Sequence, residues 1–275
     1  MSIFFCRTVA MALLLAASAS QAQSLPVAVS AAGDTATVLV GNPAAPLLEV
    51  QFDFDDAQGL SPASLGVSAD LVAVNSTTLL ARLPGALVAV PSELPAMVTI
   101  EPPVLGGLVF DRRVHVELHT HALPYTAGSR FRLFKAPLGG AFRDVTSAVE
   151  PGSVRTRGTT GGFSQFVVVL DLRPTESVVA EKLDALRAQA DQLAATESAP
   201  LQAMIDQVEL AVADGRFADA MGGVDALRAR VSARAGLHIP QTWRATRDTA
   251  NVAGELLSGL DTLAFSIGYL RDYGS

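Results

Sequence analysis

Residues 48–55 read LEVQFDFD, and this strict alternation of apolar and polar side chains decides the fold of the first half of the chain. Alternation with a period of two is typical of a β-strand that buries one face. From about Leu25 to Leu172 the same period returns in short segments that turn residues separate. Further strands are predicted at ATVLVG, DLVAVN, LLARL, AMVTIE, VHVELHT, RFRLFK, SVRTRG and SQFVVVLDL. Because no helical interval lies between them, we expect an antiparallel, immunoglobulin-like β-sandwich over residues 23–172.

The pattern changes at Arg173-Pro174-Thr175, where alanine and leucine become dense. Apolar residues then recur every three or four positions, which is the spacing of amphipathic helices. Four such segments follow, and the fourth is predicted to begin near Pro240 and to run through Trp243 to Leu270. Short links between them predict a small antiparallel four-helix bundle over residues 173–275. Trp243 lies among arginines, and we expect it to pack between the two domains rather than to form a sugar platform.

The first 22 residues have the layout of a secretory signal peptide. One basic residue, Arg7, precedes an apolar run from Thr8 to Ala17, and small residues follow up to Ala22. This run is shorter than the roughly 20 residues that a membrane-spanning helix needs. We therefore expect cleavage after Ala22 and an exported protein, either periplasmic or secreted.

The charge balance of the chain is acidic, with 20 Lys and Arg against 27 Asp and Glu. An acidic protein is a poor partner for nucleic acid and for anionic membrane surfaces. The one cysteine, Cys6, falls in the predicted signal peptide, so the mature chain would lack disulfides and a catalytic thiolate. The most apolar later segment contains Glu255 and Asp261, so no membrane span is expected after signal removal.

Two passages resemble a known family. Residues 129–171 contain Leu138-Gly139-Gly140 and the run from Gly161 to Phe166, and residues 239–267 read IPQTWRATRDTANVAGELLSGLDTLAFSI. Both are similar to an uncharacterised family of exported bacterial proteins, a domain of unknown function. The resemblance implies a β-sandwich followed by a helical tail. Because that family has no assigned activity, the resemblance implies no catalytic residue.

The segment 114–125, VHVELHTHALPY, contains three of the four histidines. On a strand, one face would carry His115, Glu117, His119 and His121. Histidines two positions apart lie roughly 6 to 7 Å from each other, so one zinc ion could be chelated. The other interpretation is that these residues form the solvated face of a strand whose valines and leucine cover the core. The sequence favours the solvated face, and zinc is the one cofactor that it leaves open.

Two further patterns invite a catalytic interpretation. Ser164 follows a glycine-rich turn, but the nucleophile elbow needs a glycine where Phe166 stands, and a strand follows instead of a helix. We therefore expect a buried hairpin serine.

Asp53 and Asp55 on one strand face would lie about 7 Å apart, a distance that paired glycosidase carboxylates also use. A hydrolase would additionally need a cleft lined with aromatics, and aromatic residues make up only 6% of the chain.

The sequence thus favours an exported, non-enzymatic protein with a binding or structural role. The expected partner is a protein or a polysaccharide of the envelope or the extracellular space. A metal-binding protein that uses the histidine face is the first alternative. A hydrolase whose site is assembled from residues distant in sequence is the second.

Overall fold

The computed structural model describes residues 23–274, which form two antiparallel β-sheets and six helices. The signal peptide predicted at residues 1–22 lies outside the described residues. Within them, none of the helices is both long and apolar enough to cross a membrane.

The first sheet has seven strands in the order β1-β5-β7-β13-β9-β10, with β6 paired to β13. Its strands are β1 (Gln23–Leu25), β5 (Val67–Leu71), β6 (Val88–Ala89), β7 (Ala96–Ile100), β9 (Phe131–Ala136), β10 (Arg143–Asp144) and β13 (Gln165–Asp171). The strand predicted at SQFVVVLDL is β13, and its run FVVVLDL is apolar on both faces. This composition fits its central place in the sheet, because β13 pairs with β7 on one side and with β9 on the other.

The second sheet also has seven strands, in the order β11-β12-β8-β4-β3-β2, with β14 paired to β8. Its strands are β2 (Val27–Ala32), β3 (Thr35–Asn42), β4 (Ala45–Gln58), β8 (Val109–Thr120), β11 (Thr146–Glu150), β12 (Val154–Thr160) and β14 (Thr242–Arg244). The C-terminal part of β8, from Val114 to Thr120, pairs with β12. The first three residues of β8 pair with β14 instead. Strand β14 therefore extends the sheet where β12 has ended.

One apolar core is shared by strands of both sheets. In β4 the alternating side chains predicted to face inward are buried, including Phe52, which is fully enclosed. Phe166 of the first sheet meets Phe52 edge to face, with ring centroids 6.4 Å apart. Burial of such large rings dominates the hydrophobic stabilisation of a core. Ser164 is buried beside this core and donates a hydrogen bond to Glu101 Oε1 at 3.1 Å, as expected for a structural hairpin serine.

Four long helices share a second apolar core. They are α3 (Thr175–Ala190), α4 (Ala195–Ala213), α5 (Phe217–Arg234) and α6 (Val252–Tyr273). Helix α6 packs against α3 and α5, and also against β8, β11 and β12 of the second sheet. It therefore connects the helical half of the chain to the sheets.

Three sequence predictions about elements were wrong. The strand predicted at DLVAVN covers residues 70–75, but β5 ends at Leu71. The segment LLARL is not a strand: its first two residues end the short helix α2 (Thr77–Leu80). Leu79 and Leu83, four positions apart, pack into a third apolar cluster on the outer face of the first sheet. A second short helix, α1 (Pro62–Leu65), was not predicted. The short apolar run at 79–83 has too few residues to distinguish a strand from a helical turn by its period.

The last helix does not begin near Pro240, as predicted, but at Val252. Residues 242–244 form β14, and Trp243 enters the core between the sheets. Its ring stacks on Phe110 at a centroid distance of 5.1 Å and meets Phe163 edge to face at 5.4 Å. Trp243 was expected between the two domains, but it belongs to the core of the sheets and not to the core of the four helices.

The first turn of α6 docks closely on β8 through a glycine. Asn251 caps the helix by accepting a hydrogen bond from the Gly254 amide at 2.8 Å, and its amide nitrogen donates to the carbonyl of Arg112 at 2.6 Å. A side chain at Gly254 would overlap that same Arg112 carbonyl. Arg112 adopts a positive φ of 59°, which most residues avoid. This contact therefore depends on the absence of a side chain at position 254.

Candidate functional site

The strand face that carries the histidines lies on the outer side of the second sheet. In β8 the side chains of His115, Glu117 and His119 point away from the core, and the residues between them are buried. The predicted alternation is therefore confirmed. His121 lies just beyond the end of the strand.

Two arginines of the neighbouring strand hold Glu117. Arg155 and Arg157 of β12 each donate a hydrogen bond to a different oxygen of its carboxylate. Partial burial alone would raise the pKa of Glu117, but the hydrogen bonds from Arg157 and Arg155 bring that pKa below its usual value. The carboxylate proposed as a zinc ligand is thus engaged with two guanidinium groups.

The histidines have separate partners. His119 Nε2 donates to the carbonyl oxygen of Gly152 at 3.1 Å, and His121 Nδ1 lies 2.7 Å from Ser153 Oγ. The rings of His119 and His121 are neighbours, with centroids 4.7 Å apart. His115 lies further along the strand.

Throughout residues 23–274, no group of three or more His, Cys, Asp or Glu side chains is placed to hold a metal ion. The structure puts His115, Glu117 and His119 on one face but does not gather them around one point. Metal binding by these residues therefore stays a prediction for experiment.

Asp55, one of the two aspartates considered for a hydrolase, belongs to an ion-pair network. Arg113 lies 3.3 Å from Asp55 and 2.8 Å from Asp261 of α6. Burial alone would raise the pKa of Asp55, but the hydrogen bond with His115 and the charge of Arg113 lower it to about 2. A general acid in a glycosidase needs a raised pKa. Asp55 therefore does not fit the role of general acid, and its carboxylate is engaged by Arg113.

A different feature, which the sequence did not reveal, is a cleft lined by aromatic rings. It lies between the end of α6, the loop that follows β8, and β11, and it has a volume of about 290 Å³. Its lining consists of Tyr125, Gly128, Ser129, Val149, Ala264, Phe265, Gly268, Tyr269, Asp272 and Tyr273. We call this feature the aromatic cleft. All three tyrosines of the chain line it.

Helix α6 supplies three of the rings from one face. Phe265, Tyr269 and Tyr273 are spaced by four residues, so they form a ladder along the helix. The centroids of Phe265 and Tyr269 are 6.2 Å apart, and those of Tyr269 and Tyr273 are 4.9 Å apart. This spacing was visible in the sequence and was the one available signal for the cleft.

The loop that follows β8 fixes the ladder in place. Tyr269 is nearly buried and its hydroxyl donates a hydrogen bond to the carbonyl of Gly128 at 2.7 Å. Tyr273 packs directly on Gly128, where an added Cβ would approach the ring to 3.0 Å. Gly128 has a φ of 70°, a conformation that suits glycine. Tyr273 nevertheless remains 55% exposed, so its ring is accessible from solvent.

Two arginines lie behind the ladder. The guanidinium carbon of Arg132 is 4.5 Å from the centroid of Tyr269 and 5.0 Å from that of Phe265, and that of Arg130 is 5.4 Å from Tyr269. Neither arginine lines the aromatic cleft. Both line a separate small cavity that also touches Tyr269. Such cation–π contacts hold a ring in one orientation.

Buried ion pairs connect α3 and α6 to strands β9 and β10 of the first sheet, away from the aromatic cleft. Lys182 of α3 lies 2.8 Å from Asp144 of β10, and Glu255 of α6 pairs with Lys135 of β9 at 3.2 Å and with Arg143. The cavity beside these pairs measures about 50 Å³. Ligand pockets usually measure about 300–1,000 Å³, so this cavity is too small for such a ligand. We therefore attribute an architectural role to these ion pairs.

A family model described as "Family of unknown function (DUF6689)" matches residues 10–271, and the chain belongs to this family. The resemblance to a domain of unknown function is thus confirmed, whereas bacterial origin and export remain predictions. No curated protein and no solved structure matches the chain.

Proposed function

We propose that this member of the DUF6689 family is an exported, non-enzymatic binding protein and that the aromatic cleft is its ligand site. The observation that carries the proposal is the convergence of all three tyrosines on one cleft. Two of these tyrosines, Tyr269 and Tyr273, lie in α6, and Tyr125 comes from a distant loop.

The dimensions and the composition of the aromatic cleft favour ligand binding. Its volume of about 290 Å³ is close to the lower end of the range of about 300–1,000 Å³ for small-molecule sites. Such sites combine aromatic walls with a few polar groups, and here Asp272 and Ser129 supply polar groups. Tyrosine is also frequent among the residues that dominate binding energy, because its ring is large and rigid.

The chemistry of the aromatic cleft favours binding over catalysis. Its charged lining residue is Asp272, which is exposed and pairs with Arg271 at 2.7 Å. General acid or base catalysis usually relies on a group whose pKa burial has moved towards neutrality. The hydrogen bond from Arg271 instead lowers the pKa of Asp272, so its carboxylate is ionised at neutral pH.

We also propose the finer architecture that the sequence predicted. The shared core of the two sheets supports an immunoglobulin-like sandwich over residues 23–172. The common core of the four long helices supports an antiparallel bundle within residues 173–275. In this arrangement the sandwich and the bundle together build the aromatic cleft. Export through the signal peptide at residues 1–22 would place the cleft in the periplasm or outside the cell, where proteins and polysaccharides are available partners.

Tyrosine labelling tests the proposed site directly. Because the chain has only three tyrosines, 3-fluorotyrosine gives three ¹⁹F NMR signals, and all of them report on the aromatic cleft. We expect fractions of an envelope extract to shift the signal of Tyr273, and we expect the Tyr273→Ala variant to lose affinity for the active fraction. A mass spectrum of that fraction should be unchanged after prolonged incubation, since no reaction is proposed. Signals that no fraction moves, or a ligand that the protein converts, would contradict the proposal.

A further inference from the structure

We infer that the aromatic cleft selects a neutral, hydroxylated ring ligand, such as a pyranose unit of a polysaccharide. This inference rests on the proposed function and adds the chemical class of the ligand. It follows from the charges around the rings, from the polar groups in the lining, and from the accessibility of Tyr273.

The arginines behind the ladder disfavour a cationic ligand. The face of an aromatic ring attracts positive charge, but Arg132 lies over both Phe265 and Tyr269, at 5.0 and 4.5 Å from their centroids. Arg130 adds a second positive charge 5.4 Å from Tyr269. A cation placed against Phe265 or Tyr269 would therefore meet one or two like charges behind the ring, and the carboxylate of Asp272 in the lining is already paired with Arg271.

An anionic ligand is also disfavoured. Arg132 is buried, and its Nη1 donates to the carbonyl oxygens of Ser129 and Phe131 at 2.7 and 2.8 Å. This guanidinium group is thus committed to the protein and does not line the cleft. The charge that does line the cleft is the carboxylate of Asp272, which is paired with Arg271 at 2.7 Å, so the lining offers an anion no unpaired positive charge.

The exposed ring of Tyr273 and the carboxylate of Asp272 are suited to bind a sugar. The C–H groups on the face of a pyranose ring carry a small positive charge and pack against the negative face of an aromatic ring. The hydroxyl groups at its edge can donate hydrogen bonds to Asp272, which accepts only. A proline-rich segment is the other ligand that aromatic grooves often bind. Proline lacks an N–H group, so such a segment would offer few donors to the lone pairs that the Asp272 carboxylate has left beside its pair with Arg271.

The test uses the mature chain, residues 23–275, labelled with 3-fluorotyrosine. The probes are hexasaccharides of glucose, xylose and N-acetylglucosamine, and they are compared with choline, polygalacturonate and a proline-rich peptide. We expect at least one neutral hexasaccharide to shift the ¹⁹F signals of Tyr125 and Tyr273. Tyr273→Ala should weaken its binding at least tenfold. Leu237→Ala, which changes another exposed apolar side chain, should leave the affinity unchanged.

The outcomes separate the ligand class from the proposed site. If choline, polygalacturonate or the peptide binds and Tyr273→Ala abolishes this binding, the ligand class is wrong and the site stands. If a hexasaccharide binds equally well to the Tyr273→Ala variant, the cleft is not its site and the inference fails. If neither these probes nor envelope fractions move any of the three signals, the proposed function fails as well.

Discussion

At the scale of single residues, Glu255 and Lys182 place charges in buried positions between the helices and the sheets. Removing charges from water is costly, and the loss is recovered only when each charge has a well-placed partner. Glu255 has two, Lys135 and Arg143. Burial alone would raise the pKa of Glu255, but these two positive charges lower it to about 2. Its carboxylate therefore stabilises the folded state only while it is ionised.

The first prediction concerns acid stability. The pKa of Glu255 is about 2 in the folded state and 4.5 as the ordinary value, so its contribution is fully present above pH 4.5 and is lost as the pH falls towards 2. Glu255→Gln should lower the unfolding free energy at pH 7 by about 3 kcal/mol, because Lys135 loses its partner. Between pH 4.5 and 2, the unfolding free energy of the variant should also fall less than that of the wild type. Urea titrations followed by circular dichroism measure both effects.

The exposed Glu93→Gln is the matched control for this prediction, and we expect a change within ~0.5 kcal/mol. A Glu255→Gln variant as stable as the wild type at pH 7 would show that the pairs contribute no net free energy.

The second prediction concerns the zinc hypothesis. Glu117 is held by Arg155 and Arg157, so we expect zinc ions to leave the melting temperature of the untagged protein unchanged. A ligand that binds the folded state alone would raise it by mass action. Calorimetry with and without zinc measures this. A rise that disappears in His119→Thr would establish the histidine face as a metal site.

At the scale of elements, the sequence predicted the strands and helices in which many consecutive residues follow one apolar period. The alternation at 48–55 became β4, and the helical spacing after Pro174 became α3 to α5. The start of α6 was missed because Trp243 fits a helical stripe and a strand equally well over so few residues. Only its pairing with β8, far away in sequence, makes β14 a strand.

The candidate site was predictable to a smaller degree. The face of His115, Glu117 and His119 follows from the two-residue period alone, so the sequence sufficed for it. The aromatic cleft joins Tyr125 to Tyr273, and their proximity depends on how α6 docks on the second sheet. A pattern in neighbouring residues cannot predict that Tyr125 and Tyr273 lie close together.

The third prediction tests the docking of α6. In Gly254→Ala the new methyl group would overlap the carbonyl of Arg112, so we expect a loss of about 2 to 3 kcal/mol. The matched control is Gly222→Ala in α5, where an added methyl group meets no atom within 4 Å. This change should stabilise the protein by up to about 1 kcal/mol, since alanine favours helices more than glycine does. Equal effects of the two substitutions in thermal unfolding would refute the close contact.

At the scale of the whole molecule, the two halves of the chain are in extensive contact. Trp243 of the second half fills the core of the first, and α6 covers β8, β11 and β12. The domain boundary predicted at residue 172 thus separates two segments, of which the second contributes Trp243 to the core of the first. Independent folding of residues 23–172 remains a prediction. Such a fragment would lack the side chain of Trp243 in its core and the cover that α6 gives to the second sheet.

The fourth prediction concerns that fragment. Residues 23–172 should retain the circular dichroism of β-structure but unfold at a lower urea concentration than the full chain. The absence of Trp243 leaves Phe110 without its stacking partner, and loss of such a side chain costs about 3 to 5 kcal/mol. Trp243→Ala in the full chain separates this contribution from that of the helices. A fragment as stable as the full chain would show that the contacts across residue 172 add nothing.

Strand β14 also determines when the protein can finish folding. A ribosome adds about 5–20 residues per second, so on the order of 10 s pass between the synthesis of Phe110 and that of Trp243. During this interval the growing chain presents a sheet with an open edge and an unfilled core, and both promote aggregation. The high contact order of the β8–β14 pair further slows the final step. We therefore expect nascent chains that end before Trp243 to aggregate more readily than the complete chain.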